Sequence, residues 1–135
     1  MTPMLSFHVL LPQDLHGRLQ RYTGSPVHED RLARYELPFK LGQNELAYGG
    51  SWRVQSERIV AGQEAKVRLR FHARKVHLVL GGRGRVQVLV DGKPERVFRV
   101  TDDRLYTLVE RPKITDGLLE LRFTPGVQAY AFTFG

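Results

Sequence analysis

The chain has no cysteine. Disulfides, thiol redox chemistry, cysteine nucleophiles and cysteine-ligated zinc or iron–sulfur centres are therefore excluded within it. It has no apolar run near the eighteen or so residues of a membrane-spanning helix, so no membrane span is expected. The stretch MLSFHVLLP (4–12) is short, contains His8 and has no positive residue before it. That makes a poor signal peptide, and no export signal is read in these residues. Acid is missing from one long stretch. Between Glu64 and Asp91 there is none, while Lys66, Arg68, Arg70, Arg74, Lys75, Arg83 and Arg85 fall there. Those seven cations equal the net charge of +7 left by 21 basic and 14 acidic residues. Such a balance favours anionic partners.

What is present fits one domain of 135 residues, 41% of them apolar, with 13 glycines and 7 prolines spread along the chain. The first 40 residues lack a clear pattern. PQDLHGRLQRY (12–22) has the opening of a short helix, with Pro12, Asp14 and leucines at 15 and 19. TGSPVHED (23–30) reads as a connector, and no strand is evident before about residue 36. The expected organisation is a poorly specified N-terminal arm (1–40) and a β-sandwich domain (41–135).

From residue 46 the rhythm has period two. KVRLRFH (66–72) alternates strictly, with Val67, Leu69 and Phe71 on one face and Lys66, Arg68, Arg70 and His72 on the other. Further strands are expected at Trp52 to Val54, 75–81, 86–90, 96–100, 105–109, 118–123 and 127–134. Asp91-Gly92 marks a hairpin, and Asp116-Gly117 a turn. The fold expected is all-β, an antiparallel two-sheet sandwich of jelly-roll type. The core is expected to hold Val67, Leu69, Phe71, Val76, Leu78, Leu80, Val86, Val88, Leu119, Leu121, Phe123, Tyr130, Phe132 and Phe134.

Catalytic signals are lacking. Ser6, Ser25, Ser51 and Ser56 sit in no nucleophile elbow. His72 and His77 are five apart and would face opposite sides of one regular strand. His8, His16 and His28 lie in the unpatterned segment, and Asp102, Asp103 and Asp116 match no calcium-loop spacing. GGRGR (81–85) lacks phosphate-loop spacing and leads into a strand; it reads as a tight turn. No enzyme, metal or cofactor is expected. Two binding constellations remain. Lys66, Arg68 and Arg70 form a row with charges about 6.6 Å apart, suited to phosphates or uronates, against the simpler reading of a solvated outer face. Tyr48, Trp52 and Tyr106 are the rings available for sugar stacking, although a Trp at a strand start is more often core. Nucleic acid is disfavoured, because no exposed aromatics interleave the charges.

HARKVHLVLG (72–81), VQVLVDGKP (86–94), RLYTLV (104–109) and PGVQAYAFTFG (125–135) resemble, in order and spacing, the C-terminal domain of bacterial DipZ-type thioredoxin-like proteins of cytochrome c biogenesis. The resemblance covers about residues 44–135. It implies a β-sandwich similar to a carbohydrate-binding module, outside the cytoplasm, attached to a thioredoxin domain whose Cys-x-x-Cys carries the redox activity. It implies a non-catalytic accessory role here, binding a glycan or envelope polymer or positioning a thioredoxin-like partner domain. In the family's N-x-W-A-L-x-G-x-W pattern, the first tryptophan is replaced here by Leu46 and the second kept as Trp52.

Overall fold

A computed structural model describes residues 6–9, 21–22, 28, 30–43, 45–55 and 57–135. It contains β1 (Ser6–Val9), β2 (Arg21–Tyr22), β3 (Leu32–Tyr35), β4 (Glu45–Val54), β5 (Ile59–Ala61), β6 (Ala65–Gly81), β7 (Gly84–Val90), β8 (Lys93–Val100), β9 (Arg104–Phe123) and β10 (Gln128–Phe134), with no helix among the described residues. Hydrogen bonding gives the order β1-β10-β5-β4-β6-β9-β7-β8, with β2 and β3 also on β4. β10 pairs with both β5 and β6, so β10, β5, β4 and β6 close on themselves. The fold is an all-β sandwich with barrel-like closure, as expected.

Two elements are longer than the sequence pattern indicates. Residues 65–81 form one strand, β6, where two were expected. A bulge joins the halves: the amides of Arg74 and Lys75 both donate to the Gly135 carbonyl, at 3.0 and 3.1 Å. The extra residue shifts the inward parity from Val67, Leu69 and Phe71 to Val76, Leu78 and Leu80. The same shift leaves both His72 and His77 on the outward parity of β6. Similarly β9 runs unbroken from 104 to 123, and Asp116-Gly117 is not a turn. Gly117 lies under Phe71, where a Cβ would meet the ring at 2.7 Å. The glycine serves close approach rather than reversal. Asp91-Gly92 is a hairpin turn, with φ of 52° and 83° and Val90 paired to Lys93. Two positive φ values fit a type I′ turn.

Thirteen of the fourteen expected core residues are buried; Tyr130 is only partly buried. A register shift between Ala129 and Phe132 turns Tyr130 off the inward parity and Phe132 onto it. The unpatterned N-terminal segment also contributes strands, contrary to the sequence reading. β1 pairs with β10, β2 runs parallel to β4, and β3 brings Tyr35 into the core against Tyr48, ring centroids 5.5 Å apart. Residues 12–20 of the expected helix lie outside the described residues, and its last two form β2. β4 begins at Glu45, ahead of the expected start, and Leu46 is buried in the core. The family's replaced tryptophan position is thus an interior one, where leucine preserves apolar character at some loss of volume.

Candidate binding face

Lys66, Arg68 and Arg70 leave β6 on the outward parity, and their direct partners on β9 are Arg122, Glu120 and Leu118. Glu120 organises the group. Its carboxylate accepts from Arg68 Nε at 2.7 Å and from Arg122 Nε at 2.6 Å. The side chain is only 10% exposed. Burial alone would raise its pKa, but the hydrogen bonds and charges of Arg122 and Arg68 outweigh this and hold it below the usual glutamate value. Arg68 and Arg122 are therefore tied down. Lys66 and Arg70 form no ion pair among the described residues. Four cations and one carboxylate leave this part of the face strongly positive.

The segment before β4 passes over the row. Leu37 rests on Gly49, where a Cβ would meet its side chain at 2.7 Å. The glycine lets this segment lie close to the sheet. Beside it Phe39, Lys40, Arg68, Arg70 and Leu118 line an open hollow of about 170 Å³. Phe39 is 99% exposed. Phe39, Lys40 and Glu120 were not identified as site residues from the sequence. The first two fall in a segment without periodicity, and Glu120 meets Arg68 only through a pairing 52 positions apart.

The three candidate stacking rings lie elsewhere. Trp52 and Tyr48 have no exposed surface. The indole N–H of Trp52 donates to the carbonyls of Gly49 at 2.9 Å and Lys66 at 3.1 Å, and its ring meets Phe123 edge-on at 5.0 Å. Tyr106 is 7% exposed, with Phe98 stacked at 5.2 Å and the Arg104 guanidinium 4.4 Å from its ring centroid. Its hydroxyl donates to the Asp102 carbonyl at 2.9 Å. Holding a pyranose requires a ring face open to solvent, and none of the three offers one. All three pack within the fold. Of the six expected site residues, Arg70 is exposed, Lys66 and Arg68 are partly exposed, and Tyr48, Trp52 and Tyr106 are buried.

His72 bonds Asp116 at 2.5 Å, and His77 Nδ1 lies 3.0 Å from Thr107 Oγ1. Among the described residues no group of three or more His, Asp or Glu is placed to hold a metal.

A family described as the thioredoxin-like C-terminal domain matches residues 16–135, starting well before the point where the resemblance was legible. Two relatives named Protein DipZ, from Mycobacterium bovis and Mycobacterium tuberculosis, are each 28% identical over 138 residues. The match takes in 99% of this chain and 20% of theirs, so the chain spans about a fifth of the length of those relatives. Among solved structures, a family two carbohydrate esterase from Clostridium thermocellum in complex with cellohexaose aligns with a TM-score of 0.52 at 24% identity. The alignment covers 58% of this chain and 26% of that one. An active site mutant of a family two carbohydrate esterase from the same organism gives the same values. At that identity the likeness is one of fold. With a family match across most of its length and a sandwich of the expected kind, the chain belongs to the thioredoxin-like C-terminal domain family.

Proposed function

We propose that this chain is a non-catalytic accessory module whose ligand is an acidic glycan or envelope polymer, held on the face of Lys66, Arg68 and Arg70. The observation that carries the reading is the free charge of Lys66 and Arg70 beside the hollow lined by Phe39 and Lys40. Enclosure of Tyr48, Trp52 and Tyr106 favours an acidic ligand over a neutral one stacked on those rings. The likeness in fold to a domain region of a carbohydrate esterase supports the glycan class. Family membership supports a setting outside the cytoplasm, beside a thioredoxin-like domain that holds the redox chemistry. It also favours a second reading, in which the module positions that redox partner and binds no sugar.

The test is glycan-array binding at about 50 and 200 mM salt, with neutral and acidic glycans side by side, since charge-driven binding falls steeply across that range. Acidic-only binding that collapses with salt supports the proposal. Binding to neutral glycans at both salts refutes the charge-based site. No glycan binding, with saturable binding to a thioredoxin-like domain, selects the second reading.

We also propose the division into an arm (1–40) and a sandwich domain (41–135) as the way the chain is built. β3 belongs to that arm yet supplies Tyr35 to the core. A chain starting at residue 41 should therefore melt lower than the full chain; equal melting would show that the arm adds nothing to the fold.

A further inference from the structure

The same outward face carries a second cluster of charge toward its other end. β8 ends the strand order, and Arg99 on it pairs directly with Arg85 on β7. The Arg85 amide donates to Thr124 Oγ1 at 2.9 Å, and its carbonyl accepts from the Thr124 amide at 3.1 Å. Both backbone groups of Arg85 thus face β9. Its pair with Arg99 is of the non-hydrogen-bonded kind, in which opposed side chains stand closest. Like charges directly opposite across a strand pair are destabilising. Among the described residues neither guanidinium has a carboxylate within ion-pair distance.

Arg83 completes the cluster. The turn carrying it is fixed by Gly84, at φ 152°, where a Cβ would meet Thr124 Oγ1 at 2.3 Å. Arg83, Arg85 and Arg99, with Thr101, line an open cleft of about 430 Å³, and no Asp or Glu lines it. The nearby Asp102 is engaged by Thr101, Arg104 and Tyr106.

The cluster is continuous with the face already described. Arg85 also lines a neighbouring hollow of about 320 Å³ with Gln87, Val97 and Arg122. Arg122 shares Glu120 with Arg68, which lines the hollow beside Arg70 and Lys40. From Arg70 to Arg99 the path crosses three strand spacings and about six residues of rise, roughly 25 Å in all.

We propose that Arg83, Arg85 and Arg99 form a second anion site that takes a carboxylate or sulfate of the same ligand. The ligand is then an extended acidic polysaccharide lying diagonally across the face, not a single acidic sugar. This rests on the reading of that face as an acidic-glycan site. The like-charge pair is retained because the ligand, not the protein, supplies its counter-charge. A polysaccharide is favoured over nucleic acid because a single exposed ring, Phe39, stands at one end of the path, and the hollow and cleft beyond it are lined by guanidinium groups without a further exposed aromatic to continue a stacking row.

The test uses the full chain with digalacturonate, octagalacturonate and a single-stranded DNA of the octamer's charge. The octamer should bind at least about tenfold more tightly than the dimer, because it engages both sites at once. Arg85→Gln with Arg99→Gln should lower octamer affinity about tenfold while the protein melts at or above the wild-type temperature, since a like-charge pair has been removed. Lys66→Gln with Arg70→Gln tests the underlying face independently. If the Arg85/Arg99 variant binds the octamer as the wild type does while the Lys66/Arg70 variant is weakened, the second site is overturned and the first stands. If neither pair matters, both fall. Tighter binding of the DNA than of the octamer overturns the polysaccharide assignment.

Discussion

Trp52→Phe separates a structural tryptophan from a sugar platform. Trp52 is the sole tryptophan, and it has no exposed surface. The substitution keeps an aromatic ring against Phe123 and Tyr48 but removes the indole N–H that serves the Gly49 and Lys66 carbonyls. Leaving a buried acceptor without its donor costs about 1–3 kcal/mol. The missing second ring leaves roughly 40 Å³ of cavity, and at about 24 cal/mol per Å³ this adds about 1 kcal/mol. The total, about 2–4 kcal/mol, is a large share of the stability of a domain this size. Urea unfolding followed by far-UV circular dichroism should show that loss. Acidic-glycan binding by the folded variant should be unchanged, because no face of the indole is open to a ligand. In the wild type, tryptophan emission should be that of a shielded indole and should not respond to glycan. A variant that melts like the wild type but no longer binds glycan would refute the placement of Trp52 in the core.

Phe132→Ala removes a fully buried ring stacked 6.0 Å from Phe134 and should cost about 3–5 kcal/mol, read by the same unfolding assay. Glu120→Gln loosens Arg68 and Arg122. Both arginines are partly solvated, so the stability cost should be about 1–2 kcal/mol, while acidic-polymer binding at low salt tightens because the face gains a net positive charge. The Glu120 carboxylate titrates low when folded, so its contribution is complete above the unfolded pKa near 4.5 and is lost as pH falls through the folded value. Acid unfolding of Glu120→Gln should lack that component. His77 is held below 6.5 by burial and then by Lys75, with Glu110 opposing. The unfolded chain therefore takes up this proton first as pH drops; stability from His77 is full above about pH 6.5 and is lost as pH falls through the folded value. Melting temperature should decline over that window, and His77→Gln should flatten the decline.

The strict alternation of KVRLRFH made one strand legible residue by residue, because a half-buried strand must send every second side chain to the core. The Asp91-Gly92 hairpin was legible for an equally local reason: few residues tolerate two successive positive φ values. The length of β6 and β9 was not. The bulge at Arg74 and Lys75 exists only because the Gly135 carbonyl receives both amides, from a residue some 60 positions away in sequence. Gly117 carries no local sign that it lies under Phe71 and so cannot end a strand. The segment before residue 36 shows no period of its own, since β3 is a four-residue strand with only Tyr35 deeply buried.

The candidate site divides in the same way. Sequence alone placed Lys66, Arg68 and Arg70 on one face, because alternation fixes which side chains share a side. It could not say which of those charges are free. Only strand pairing sets Glu120 between Arg68 and Arg122, or brings Lys40 and Phe39 beside Arg70. The burial of the aromatic candidates was illegible for a matching reason: a ring's residue type reveals its capacity to stack, but only the packing of distant strands sets its exposure. What the residues determined by themselves was local periodicity, turn chemistry, charge and the absence of thiols. What the tertiary structure decided was every relation between distant strands, because ion pairing, enclosure and like-charge opposition depend on neighbours that the chain brings together only when folded.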